Sequence, residues 1–305
     1  MHIPNEMLNG TICPVTAAVS AVGIVGAAVA AVKSKERPKA ARFGAVAALI
    51  FSGQMMNFPI QNGTSGHLLG GVLASALLGT PFGILAMALV VSVQCLLFSD
   101  GGFSVLGANV LNMAVIGAGL GGILRSKRVR SFPFTSLKRI VSVGSVAWIS
   151  VVAAAFACSL ELAVAGTIDF SKVAVSMLGT HALIGIGEAL ITLSAYYLFA
   201  EETYEKVPEW IIGAPLLASG LIAGLLSPFA SGFPDGLEWV AEKYQFLHEA
   251  APAFASPMPD YAVAGIPVEA LSTGLAGMIG VFATFLLGWA VAAVVTCFSL
   301  KRVAA

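Results

Sequence analysis

The chain is built from apolar stretches that carry almost no charge. Nine are visible, at about 15–32, 43–60, 67–79, 82–99, 104–124, 140–166, 173–200, 210–230 and 270–298, and between them they hold two carboxylates, Glu161 and Glu188, and no lysine or arginine. A helix needs about 20 mostly apolar residues to cross a bilayer core about 30 Å thick. The pattern therefore predicts an all-α fold, a polytopic helical membrane protein of about nine transmembrane helices. Composition agrees: 10% of the 305 residues are charged, against about 25% in soluble domains. Sixteen basic residues balance sixteen acidic ones, which excludes the basic footprint of a nucleic-acid binder. So apolar a chain is not disordered either. The stretch at 67–79 is short, carries Gly70, Gly71 and Gly79, and ends at Thr80-Pro81. It is expected to pack inside the bundle, because irregular backbone at membrane depth must be buried in protein or line a cavity.

Basic residues give the direction. Lys33, Lys35, Arg37, Lys39 and Arg42 follow the first span, and Arg125, Lys127, Arg128, Arg130, Lys138 and Arg139 follow the fifth. Lys206 follows the seventh, and Lys301 and Arg302 the ninth. With nine spans these regions share one side, leaving only Lys172 and Lys243 on the other. The expected amino terminus is outside and the carboxyl terminus inside. Met1 to Pro14 has no basic leader, carries Glu6 and contains two prolines, so it does not read as a signal peptide. The initiator end is then expected to face outward. The chain divides into residues 1–207, with about seven spans, and 208–305, with two spans around an outer loop at about 231–269. Glu201, Glu202, Glu205 and Glu209 mark the join.

Four histidines occur: His2, His67, His181 and His248. A free terminal Met1-His2 offers three linked nitrogens: the Met1 amine, the His2 amide and the His2 imidazole. A strongly polarising ion can deprotonate the amide and close two chelate rings, and a fourth nitrogen would complete the planar set that suits Ni(II) or Cu(II). Methionine is expected to be retained, because the residue after it is large. His67, in the glycine-rich run Gly63-Thr64-Ser65-Gly66-His67, is the candidate fourth donor. A helix cap at His67 and a chance histidine at position 2 would look the same in sequence.

His181 and Glu188 share a helix face about 10 Å apart along the axis. That spacing admits a proton relay only through intervening groups, or else support for a neighbouring site. Glu161 is open to the same readings. Asn109 and Asn112, three residues apart beyond Asp100-Gly101-Gly102, could brace the outer loops. Met55 and Met56 are either soft ligands or packing, and His248 reads as a solvated loop residue. The cysteines at 13, 95, 158 and 297 form no CxxC pair or disulfide framework. No lysine follows a glycine, so there is no phosphate-binding GxxxxGK loop, and neither HExxH nor GxSxG occurs. Nothing points to an enzyme.

Taken together, several motifs resemble the CbiM/NikM family, the substrate-binding membrane subunits of energy-coupling-factor cobalt and nickel importers. They are Met1-His2-Ile3-Pro4, Asn57-Phe58-Pro59-Ile60 running into Gly63 to Gly71, Gly107-Ala108-Asn109-Val110 with Asn112-Met113-Ala114, and Gly179-Thr180-His181 through Gly187-Glu188. The tail, with Pro234-Asp235-Gly236-Leu237-Glu238 and Pro259-Asp260-Tyr261-Ala262-Val263, resembles the small CbiN/NikN subunit fused behind the first. The resemblance implies a prokaryotic plasma-membrane importer component that works with a transmembrane coupling protein and a cytoplasmic ATPase. It implies Ni2+ or Co2+ as cargo, with the fusion favouring nickel, and no prosthetic group. It places the ion on the Met1 amine, the His2 amide and imidazole, and His67, with Asn5, Ser65, Asn109, Asn112, His181 and Glu188 as supporting positions. One departure stands out: the family continues from its opening tetrapeptide with Asp-Gly, whereas this chain has Asn5 and Glu6. Two other classes fit the residues: a proton-coupled secondary metal transporter using His181 and Glu188, and a membrane protein that binds metal without moving it.

Overall fold

The computed structural model describes every residue except 1, 6, 62, 202–209, 248–253, 255 and 304–305, and at 300–303 it describes the backbone alone. The expectations for Met1, Glu6, His248, Glu202, Glu205, Lys206 and Glu209 lie outside the described residues. Among the described residues, seven helical runs are long and apolar enough to cross a membrane: Ile12–Lys33, Thr80–Phe98, Leu106–Arg125, Leu137–Val164, Phe170–Phe199, Trp210–Phe229 and Glu269–Ser299. The chain is a polytopic helical membrane protein.

Four of these runs are α1 (Ile12–Lys33), α4 (Thr80–Phe98), α7 (Leu137–Val164) and α8 (Phe170–Phe199). The two apolar stretches outside the seven runs form shorter helices. α2 (Ala40–Gln54) stops well before residue 60 because the chain turns into a short strand, β1 (Phe58–Pro59). That strand pairs antiparallel with β2 (Ser65–Gly66). α3 (Gly71–Leu78) is eight residues long, with Gly71 to Ser75 and Leu78 buried. It starts behind Gly70 at φ +80°, a conformation that costs any side-chain-bearing residue energy. This glycine lets the chain leave the His67 loop and enter the bundle at once.

The run Leu106–Arg125 is not a uniform helix. α5 (Leu106–Val110) passes into a π-helical stretch, Leu111–Ala118, and then a 3-10 turn, Gly121–Arg125. α6 (Lys127–Arg130) follows, N-capped by the Ser126 hydroxyl. α7 and α8 pack against each other as a hairpin, and α9 (Trp210–Leu221) and α11 (Glu269–Val303) pack on α2. The segment between the run Trp210–Phe229 and α11 contains a helix of its own, α10 (Gly236–Lys243), started by a complete capping box between Asp235 and Glu238.

The two ends of the bundle differ in chemistry. α4 begins beside Arg125 and ends at Phe98, which stacks on Tyr261. At the Arg125 end, Arg125 bonds Glu36. The buried Arg42 guanidinium donates to the carbonyls of Phe199 (2.9 Å) and Ile211 (3.2 Å) and pairs with Glu201, tying α2 to α8 and α9. The opposite end gathers the described residues of the amino-terminal segment, the β1–β2 hairpin and residues 231–247 and 256–261.

Candidate metal centre

The amino-terminal segment is stitched across that end through its backbone. Asn109 on α5 holds Ile3 at both polar groups: its Oδ1 accepts the Ile3 N–H at 2.8 Å and its Nδ2 donates to the Ile3 carbonyl at 3.1 Å. The Gly102 N–H donates to the same carbonyl at 2.8 Å. A Cβ on Gly102 would run into the Asn5 backbone, so only glycine leaves room for the segment there. Asn5 Oδ1 accepts from the Ser104 N–H and hydroxyl, and the Ile3 side chain is fully buried. Removing the clasp with Asn109→Ala leaves the buried Ile3 N–H unpaired, at about 1–3 kcal/mol. The expected result is amide exchange at Ile3 about tenfold faster or more, read by hydrogen-exchange mass spectrometry; unchanged protection would contradict this account of the seat.

So held, His2 is 7% exposed. Its Nδ1 lies 3.0 Å from Asp100 Oδ1, and its Nε2 3.2 Å from Gln94 Oε1. The other oxygen of Asp100 accepts the Tyr261 hydroxyl at 2.6 Å. Burial alone would raise the Asp100 carboxyl, but His2 and Tyr261 hold it well below the usual carboxylate range. Tyr261 itself is pushed up by burial and by that carboxylate, so it remains a donor.

His67 follows β2 and is positioned by its neighbours' backbone. On α8, Glu188 accepts the N–H groups of Leu69 (2.5 Å) and Gly70 (3.0 Å). Gln54 at the end of α2 donates to the Leu69 carbonyl at 2.7 Å. His67 Nδ1 is 2.9 Å from the Leu68 carbonyl, which can only accept, so Nδ1 carries the hydrogen and the neutral ring keeps its lone pair on Nε2. Burial is the main cause that lowers its pKa, to about 3, so the ring is neutral at any ordinary pH. The His2 and His67 rings lie 5.4 Å apart and 13° from parallel.

A cavity of about 620 Å³ opens onto both histidines, with Asp100, Asp235, Glu238 and Asp260 in its wall and no lysine or arginine among the described residues that line it. Carboxylates in a low-dielectric funnel attract cations and raise their local concentration. The imidazoles of His2 and His67 below them can offer nitrogen to a transition metal, and nitrogen donors under an acidic mouth suit a divalent ion.

The remaining positions sort differently. Ser65 gives its hydroxyl to the Phe233 carbonyl and its N–H to the Pro234 carbonyl, both at 2.8 Å, joining the hairpin to the segment before α10. The asparagines do not act as one pair. Asn112 donates to Glu161 at 2.7 Å, because it lies in the π-helical stretch packed on α7 and not beside the amino-terminal segment as Asn109 does. His181 bonds the Met177 carbonyl at 2.8 Å and lines a gap of about 10 Å³ with His67 and Asp235. Asn5 braces Ser104 rather than touching His2. Met55 lines the cavity wall, and all four cysteines are free. Gln94, Asp100, Asp235 and Tyr261 are site residues to which the sequence reading gives no chemistry. The only signal for the last two is their place in the tail motifs.

Residues 2–206 match the CbiM family, described as the cobalt uptake substrate-specific transmembrane region, and residues 209–297 match the PDGLE domain. A protein of Archaeoglobus fulgidus named as a fused nickel transport protein, NikMN, is 31% identical over 95% of this chain and 97% of its own length. The fused nickel transport protein NikMN of Rhodobacter capsulatus is 27% identical over 92% of this chain and 94% of its own. A crystal structure of a truncated transition metal transporter matches with a TM-score of 0.56 at 30% identity, covering 65% of this chain and 98% of that one. With more than half its length inside the first match, the chain belongs to the CbiM family, the substrate-specific transmembrane region of cobalt uptake.

Proposed function

We propose that the chain captures Ni2+ or Co2+ at the outer face of a prokaryotic plasma membrane and passes it inward with a separate coupling protein and an ATPase. It is a transport component and not an enzyme. The observation that carries the reading is the meeting of His2 and His67, near-parallel and 5.4 Å apart, under an acidic mouth. The ligands are the Met1 amine, the His2 amide and imidazole, and the His67 imidazole. Residues 1–207 form the metal-binding unit and 208–305 the accessory unit, with the amino terminus outside and the carboxyl terminus inside. The basic residues gathered around Arg125 and Arg42, at the bundle end opposite the histidines, support that orientation.

Chelation through an amidate uses His2 Nδ1, the nitrogen bonded to Asp100, so the ion takes that nitrogen from the carboxylate as it enters. A proton relay from His181 to Glu188 has less to support it. Glu188 is engaged by two backbone N–H groups, and His181 by the Met177 carbonyl.

Metal accumulation in cells that supply the ATPase and coupling partners tests the function. Uptake of nickel or cobalt is expected only with the ATPase present, and uptake that persists without it would favour the secondary transporter. Binding also has a pH signature. The neutral His67 gives up no proton to the ion, whereas the terminal amine and the His2 amide must, so binding releases protons. Affinity is expected to fall as pH drops from mildly alkaline to mildly acidic in a nickel titration series; a flat profile would contradict the amine–amide chelate.

A further inference from the structure

The end of the bundle opposite the histidines holds two adjoining cavities, of about 410 Å³ and about 170 Å³, whose walls share Glu36, Arg42, Leu77, Arg125 and Glu201. The space follows from a short helix. α3 packs on α2 and on the 3-10 turn Gly121–Arg125, ends after eight residues at Leu78, and turns off through Gly79 at φ +90°. Beyond Leu78 it no longer fills the gap between its two neighbours. The depth is that of a membrane surface. Spanning runs end at Lys33, Arg125 and Phe199 and start again at Thr80 and Trp210, each within a few residues of this wall.

The wall of the larger cavity has an apolar side and a basic side. Leu77, Leu78 and Ile212 form the first, and Arg37, Lys39, Arg42 and Arg125 the second. Two of these cations are already matched. Arg125 bonds Glu36, while Arg42 pairs with Glu201 at 3.2 Å and also donates to the Phe199 and Ile211 carbonyls. Glu36 and Glu201 are the only carboxylates among the described residues of either wall, so both are engaged. Arg37 donates to the Ser34 carbonyl at 2.8 Å and the Val32 carbonyl at 3.4 Å. Those bonds fix its guanidinium across the end of α1 without cancelling the charge. Lys39, the residue before α2, has no carboxylate at ion-pair distance among the described residues. Two positive charges are left over beside apolar side chains.

We propose that this wall binds the phosphate headgroup of an anionic phospholipid, with Arg37 and Lys39 on the phosphate oxygens and Leu77, Leu78 and Ile212 against the glycerol end of the acyl chains. Basic pockets between spanning helices at a membrane surface take such headgroups, and the guanidinium fork matches phosphate oxygens. The apolar side selects a lipid over a free anion, because inorganic phosphate uses the two cations and leaves that side uncovered. Ile212 lies in the stretch that matches the PDGLE domain, whereas Arg37, Lys39, Leu77 and Leu78 lie in the stretch that matches CbiM. One lipid thereby holds the two parts of the chain together.

The test uses the full chain, stripped of lipid in a neutral detergent, with its thermal unfolding midpoint read after addition of phosphatidylglycerol, phosphatidylcholine or inorganic phosphate. Saturating phosphatidylglycerol is expected to raise the midpoint by about 5 °C or more, and the other two by less than about 1 °C. Arg37→Gln and Lys39→Gln made together remove both charges, keep the Arg42 bonds, and should abolish most of the rise. Arg37→Lys with Lys39→Arg keeps both charges and should keep the rise, which separates lost charge from a disturbed turn between α1 and α2. An equal rise with phosphatidylcholine, a rise that survives the paired Gln substitutions, or no rise with any lipid overturns the proposal. A rise with inorganic phosphate as large as that with phosphatidylglycerol assigns the wall to a soluble anion and overturns the lipid.

Discussion

His67→Ala is expected to cost more than about a hundredfold in nickel affinity, beyond the 10–100-fold that follows from losing a group that only orients a ligand. On the proposed reading the ring is a preformed donor, because it is buried, neutral, and held in one tautomer by the Leu68 carbonyl. It brings no deprotonation cost, and the loop that carries it is fixed before the ion arrives. Three linked nitrogens at the terminus remain in the variant, so weak binding persists. Competition titration against a chelator of known affinity measures the difference. A loss of less than about tenfold would show that the fourth donor lies elsewhere.

Glu188→Ala should have the second largest effect, although Glu188 touches no metal. Its carboxylate is fully buried and accepts the N–H groups of Leu69 and Gly70, next to the φ +80° entry into α3. Alanine leaves two buried donors unpaired at about 1–3 kcal/mol each. The loop then finds other partners and His67 loses its aim. Nickel affinity is expected to fall about tenfold or more while the protein still folds and still extracts as a membrane protein. Glu188→Gln retains one acceptor oxygen and should recover part of the loss. A variant with unchanged affinity and unchanged exchange at Leu69 and Gly70 would remove Glu188 from the account of the site.

What could be read in advance follows from the range of each interaction. The long helices are legible because a run such as Val15 to Val32 has one stable form in a bilayer, with its backbone bonds closed internally. His2 is legible as chemistry, since the proposed chelate is local to the first two residues, and His67 is legible as the histidine of a glycine-rich run. The short α2 is not, because it ends where Phe58 pairs with Gly66, a tertiary choice that hydropathy does not register. Asn112 escapes a face-counting argument because the chain goes π-helical at Leu111. Asp100 meets Tyr261 across 161 residues, and Asp235 meets His67 across a comparable separation. Such contacts leave no periodic trace. The D-x-x-E spacing of Asp235 and Glu238 is a local helix-start signal that the sequence reading passes over in taking 231–269 as a plain loop, and the structure has α10 there.

The central claim is that the amino terminus itself is part of the metal site. The direct test is metal content by mass spectrometry on protein that begins at Met1 and is purified through a C-terminal tag, beside a form with one extra residue ahead of Met1. About one nickel or cobalt per chain in the first form and none in the second is the expected result, because the extension converts the amine donor into an amide. Equal metal in both forms would contradict the account and move the site away from His2.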